Sequence, residues 1–281
     1  MTGSDSLDTG LGFRRAVASE ARPVDIAVLV SVPLILAGLF FLPLSIRERF
    51  VFETAEPTVR TAYAAHFVHR QQFHLLGNLL VYLVVVPVTY LLCILSRRRQ
   101  LFAVAFVMLF TVFPFALSVM QLLFPRQREI LGFSGINAGF FGLLCVAWII
   151  YAGRHFAGGT STRYAPALLF VMMGAIALIT LPSRAWRLEI AIVSLGLGVG
   201  YVLLWLRRGE YPTLDTIREG FDRFGYAELA GAGFGLIVSY PFVGFRRFVT
   251  VGTGILDVYI HLLGYSLAFI IVYAYVAVVE P

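Results

Sequence analysis

The chain has 281 residues, of which 59% are hydrophobic and 14% charged, with a mean hydropathy of +0.84. Soluble domains carry roughly 25% charged residues, so a water-soluble enzyme is excluded and a polytopic membrane protein is indicated. Every basic side chain is arginine and the net charge is +6; no basic run with interleaved aromatics sits in a soluble segment, which argues against a nucleic-acid partner.

Residues 1–25 form a polar N-terminal tail, and 26–281 read as one membrane domain. The first apolar run, Ile26–Ile46, is too long for a signal-peptide core and reads as a retained helix. A polar stretch, Arg47–Phe73, holds His66 and His69; these two and His155 are read as surface histidines in loops. The second helix is His74–Leu95, ended by Arg97-Arg98-Arg99. The third, Leu101–Phe124, carries Pro114, which neighbouring helices can accommodate. The fourth, Gly132–Ala152, has no charged residue and is about as long as a bilayer is thick. The fifth is Tyr164–Leu181. The sixth, Leu188–Leu206, places Gly196, Gly198 and Gly200 on a close-packing face. Arg207–Arg223 is a charged amphipathic linker. The seventh, Tyr226–Phe245, contains Glu228 and four glycines, and the last is Thr253–Val279. Trp148, Tyr201 and Trp205 are read as interfacial anchors.

The expected fold is therefore all-α, a transmembrane helix bundle of about eight helices. Cys93 and Cys145 both lie in apolar runs, so a disulfide framework is not expected. No Cys/His spacing suits zinc, and no metal or cofactor is implied. With the N-terminus inside, 12 of the 22 arginines fall on inner segments and 10 on outer ones. The apolar runs suggest a multi-pass protein of the cell membrane, and the arginine bias favours a cytoplasmic N-terminus.

The chemistry centres on Gly132-Phe133-Ser134-Gly135, at the mouth of the fourth helix, and on His261 in the last. A serine hydroxyl is a weak nucleophile until a base takes its proton. His261 is the one histidine deep in an apolar run, and burial favours the neutral imidazole that a base must be. Gly132 and Gly135 leave room for a substrate backbone to approach. If Ser134 and His261 meet, their helices start from the same face, and an odd number of crossings separates them. The fifth, sixth and seventh helices supply three, which requires Tyr226–Phe245 to span.

Three short signatures then fall in order. They are His74-Leu75-Leu76-Gly77-Asn78 (HxxxN), Gly132-Phe133-Ser134-Gly135 (GxSG) and His261-Leu262-Leu263-Gly264 (HxxG). In this order, each in or at the mouth of a helix, they make the chain resemble the rhomboid family of intramembrane serine proteases, over about 26–152 and 253–279. The resemblance implies a rhomboid-like core and an endopeptidase that cleaves transmembrane protein substrates within the lipid bilayer through a Ser134–His261 dyad. It assigns the oxyanion hole to His74, Asn78 and the Ser134 backbone N–H. His74 and Asn78 are four apart and share a helix face, and loss of one such donor costs about 2.7–4 kcal/mol of transition-state stabilisation.

Gly132, Gly135, Gly264 and Asp257 are expected to shape the site. Asp257 sits one turn before His261 and either orients the imidazole, as in a triad, or caps the outer end of the helix. Two departures stand out. The fourth residue after the serine is often a tyrosine in the family, packed on the histidine, and here it is Ala138. The family core has one helix between the serine and histidine helices, whereas this chain has three, an apparent two-helix insertion within 153–252. Two other classes compete: a catalytically inactive rhomboid-like binding protein, and a secondary transporter with an ion path through Glu228, Asp257 and His261. The transporter predicts an internal repeat, and none is visible.

Overall fold

In lipid, a backbone has no hydrogen-bond partner but itself, so long uncharged apolar runs coil into helices. The computed structural model describes residues 3–123, 129–157, 162–181, 183–209, 211–245, 250–251, 254–255 and 258–279. Its helices begin with α1 (Gly3–Glu20), α2 (Pro23–Phe40), α3 (Leu44–Arg47), α4 (Val59–Ala64) and α5 (Gln72–Leu95). They continue with α6 (Arg99–Thr111), α7 (Phe113–Leu122), α8 (Ser134–Phe156) and α9 (Ala165–Thr180). The last four are α10 (Arg184–Arg207), α11 (Leu214–Phe221), α12 (Tyr226–Gly244) and α13 (Val258–Val279).

Seven of these are long and apolar enough to cross a membrane, and α6 with α7 makes an eighth if the bent pair is one span. The run 226–244 is among the seven. The all-α, multi-helix expectation holds, with changes of detail. Residues 3–20 of the polar tail are helical, and Phe13 packs edge-on against Tyr226, with ring centroids 5.2 Å apart. The third apolar run is two helices bent by 47°. Pro114, at the start of α7, has no N–H and crowds the carbonyl four residues earlier. That carbonyl belongs to Phe110, and it accepts instead from the Tyr63 hydroxyl at 2.9 Å.

The bundle is built around α8, the most buried span, with α5, α12 and α13 against it. Glycines let the backbones approach. A Cβ on Gly142 would stand 2.4 Å from the Tyr265 carbonyl oxygen, and one on Gly139 would stand 2.6 Å from Leu109. The helices α9 and α10 form a hairpin, and α10 packs chiefly along α9. There Gly198 meets Val171 and Ala167, while Gly196 and Gly200 face open space. Residues two apart point to opposite sides of a helix, so the three glycines cannot share a face as expected. Trp148 is partly buried. Its indole N–H donates to the Ala230 carbonyl at 2.8 Å and ties α8 to α12.

At the α2 start, Asp25 accepts from Tyr90 of α5 at 2.7 Å and from Arg99 of α6 at 2.7 and 2.5 Å, joining three helices. At the other end of the bundle, a short antiparallel ribbon pairs β1 (Phe52–Glu53) with β2 (Glu129–Ile130). It joins the 47–73 segment to the approach to Ser134. A second ribbon, Thr250–Val251 with Gly254–Ile255, lies between α12 and α13.

Candidate active site

Four helix ends meet at Ser134. Gly135 meets Ile260 and Gly264, and Gly142 meets Tyr265, Ala268 and Phe269, so the contacts advance together along α8 and α13 and these two helices run parallel from the same end. α5 starts at this end too, because His74 lies against Gly132. The end of α12 joins them, since the Gly244 carbonyl reaches His261.

Ser134 is the first residue of α8 and is partly buried. The first backbone bond of this helix runs from Asn137 N–H to the Phe133 carbonyl at 3.0 Å. The amides of Ser134 and its two successors therefore lie in the first turn, where no intrahelical acceptor exists and the helix dipole is positive. Gly132 makes the turn into the helix with φ +101°, a conformation that L side chains disfavour. A Cβ there would lie 2.5 Å from Cε1 and 2.9 Å from Nε2 of His74. The room expected at Gly132 is thus taken by the His74 imidazole. The room at Gly135 is taken by Leu117 and Ile260, whose atoms would be 2.9 and 3.3 Å from an added Cβ.

The HxxG motif closes on the GxSG motif directly. A Cβ on Gly264 would stand 2.4 Å from the Gly135 carbonyl oxygen and 3.0 Å from Cβ of Ala138. Position 138 is therefore a tight helix contact, too close to hold an aromatic ring. His261 is buried, at 5% exposure. Its Nδ1 lies 2.6 Å from the Gly244 carbonyl oxygen. A carbonyl can only accept, so Nδ1 carries the proton and the lone pair of the neutral ring is on Nε2. Among the described residues no hydrogen bond joins the Ser134 hydroxyl to His261, His74 or Asn78. Asp257 lies outside the described residues.

Asn78 is buried and engaged. Its side-chain amide donates to Nε2 of His69 at 3.0 Å. Its backbone carbonyl and Oδ1 accept from the Asn137 amide at 2.9 and 3.2 Å. Asn137 thus fastens α8 to α5, one turn below Ser134. The Phe133 N–H also donates to Nε2 of His69, at 3.3 Å. A loop histidine read as a surface group is therefore the acceptor that ties the serine turn to Asn78.

His69 is 1% exposed and His66 is fully buried. Burial, with His74 and Arg47 nearby, pushes the His69 imidazole down to about 3, and burial pushes His66 down to about 4. Both are neutral at ordinary pH. His66 pairs through Nε2 with the Ser118 hydroxyl at 3.0 Å, and that hydroxyl donates to the Ala62 carbonyl at 2.7 Å. The third histidine, His155, is in the last turn of α8. It is part-buried, with Nε2 3.2 Å from the Leu95 carbonyl oxygen. Ser118 is 52 residues from His66 and Phe133 is 64 from His69, and no local sequence signal announces the burial.

The 47–73 segment is itself anchored. Gly132 N–H donates to the Ala65 carbonyl at 2.9 Å. Phe67 packs on Phe133, centroids 6.0 Å apart. Arg47 donates to the His69 carbonyl, and Arg70 bridges Glu48, at 2.7 Å, and Glu129. The hydrogen bonds from Arg70 hold the Glu48 carboxyl below the usual range.

Among the described residues no group of three or more His, Cys, Asp or Glu side chains could hold a metal ion. Comparisons with protein-family models, curated proteins and solved structures found no match.

Proposed function

We propose that this chain is an intramembrane serine endopeptidase of the kind its rhomboid resemblance implies. Ser134 is the nucleophile and His261 the base that accepts its proton at Nε2. The reading is carried by one observation: the three signatures meet within two residues of Ser134, His74 over Gly132 and Gly264 against Gly135. The tautomer set at His261 supports it, because a base facing the serine needs its lone pair on Nε2. His74 and the amides of the first α8 turn are the donors for the oxyanion. Asn78 contributes by holding the α5–α8 junction as well as by any N–H it presents. In this reading, α12 serves as the helix before the histidine helix, and the α9–α10 hairpin is the insertion. The substrates are transmembrane segments, met in the bilayer, and the site opens to the outer face with the N-terminus in the cytoplasm.

A transporter path through Glu228 and His261 is poorly supported. Glu228 accepts from the Gly225 N–H at 2.6 Å as the cap of the far end of α12. Sixteen helical residues separate it from Gly244, about 24 Å at 1.5 Å per residue.

The test is labelling of the purified, detergent-solubilised protein by a fluorophosphonate. Wild type should label, and Ser134→Ala and His261→Ala should not. A folded wild type that stays unlabelled would move the assignment to a non-catalytic binding protein.

A further inference from the structure

Ala138 leaves His261 without a ring one turn along from the serine, and the room at that position is closed by Gly264. Something else must fix the imidazole. The last turn of α12 meets His261 at two points. The Gly244 carbonyl accepts from Nδ1–H at 2.6 Å. The Tyr240 hydroxyl, one turn earlier, donates to the His261 backbone carbonyl at 3.0 Å. Side chain and main chain are thus gripped by residues four apart on one helix face.

The gripping turn is itself held. Tyr240 is buried and stacks on Phe141 of α8, with centroids 4.2 Å apart and planes at 28°. It also meets Tyr265 of α13 and Phe245, both at 5.2 Å. Phe245, fully buried, presents its ring edge-on to His261 at 6.2 Å and 88°. The helix ends at Gly244, so its carbonyl has no N–H four residues on within α12. That carbonyl needs a donor, and the imidazole supplies it.

We infer that the C-terminal turn of α12, through the Gly244 carbonyl and the Tyr240 hydroxyl, is the positioning device that holds His261 as the Nδ1–H tautomer. It does the work that a carboxylate does in a triad. The inference rests on reading His261 as the base. When the Ser134 O–H bond breaks and the proton goes to Nε2, the Nδ1–H bond to Gly244 persists. The positive ring then sits at the negative end of a helix, where a cation is favoured.

The experiment uses the full chain labelled with 15N-histidine. Five histidines are present, and His261→Ala identifies the resonances of His261. The expected spectrum at pH 8 shows a protonated Nδ1 and a bare Nε2 at His261. Tyr240→Phe keeps the stacked ring and removes only the hydroxyl. It should broaden or shift the His261 signals and slow fluorophosphonate labelling about three- to tenfold, the size of one hydrogen bond, with the final extent of labelling kept. A protonated Nε2 in wild type, or His261 signals and labelling rate both unmoved by Tyr240→Phe, would overturn the inference. The spectrum does not depend on activity. An unlabelled serine with the expected tautomer, responsive to Tyr240→Phe, would refute the dyad and leave the grip of α12 on His261 standing.

Discussion

Replacing Gly264 by alanine tests how closely α8 and α13 must meet. The added Cβ would stand 2.4 Å from the Gly135 carbonyl oxygen and 3.0 Å from Cβ of Ala138. Carbon prefers about 3.5–4.0 Å to such neighbours, so the helices must part by about 1 Å. Neither neighbour is the far end of a flexible side chain, and neither can swing away. Overpacking of this kind costs about 1–3 kcal/mol. Against that, alanine favours a helix interior over glycine by about 0.5–1 kcal/mol. The net expectation is a loss of about 1–2 kcal/mol, the upper part of the range applying because backbone is struck. Gly231→Ala in α12 is the control, because a Cβ there meets nothing within 4 Å. The unfolding midpoint in detergent should fall for Gly264→Ala and hold or rise for Gly231→Ala. The fluorophosphonate rate should fall by up to about a hundredfold in Gly264→Ala, the effect of a 1 Å misplacement of reacting groups. A Gly264→Ala protein as stable as the control variant would refute the close approach of the two helices.

Two further outcomes follow from the buried polar groups. His66 and His69 have folded values near 4 and 3, below the ordinary value near 6.5. Their contribution to stability is complete above pH 6.5 and is lost as pH falls toward their folded values; the unfolding midpoint should be flat from pH 7 to 8 and decline below about 6.5, less steeply in His69→Gln. Asn137→Leu removes the donor to Asn78, leaves the buried Asn78 Oδ1 unserved, and should cost about 1–3 kcal/mol in the same unfolding assay.

The spans were legible because lipid imposes one solution on an apolar run, and Gly132 and Gly264 were legible because a positive φ and a close helix contact constrain their residue type. What escaped depends on distant partners. Nothing near His69 in the chain announces that Phe133 and Asn78 will both point at its Nε2. The grip of Tyr240 and Gly244 on His261 spans 21 and 17 residues and uses backbone carbonyls, which every residue carries. Pro114 was visible, but the break there goes with a distant donor, the Tyr63 hydroxyl, which donates to the Phe110 carbonyl. The helix at residues 3–20 has no apolar run to advertise it.

The β1–β2 ribbon, with the bonds from Gly132 to Ala65 and from Phe133 to His69, suspends the serine turn from the 47–73 segment. That segment is clamped in turn by the Glu48–Arg70–Glu129 ion pairs, which are partly exposed. Ion pairs of that kind weaken as salt rises. Ser134 is thus mechanically tethered to a water-facing clasp, and the aqueous ionic strength has a route to it that never passes through the hydrocarbon.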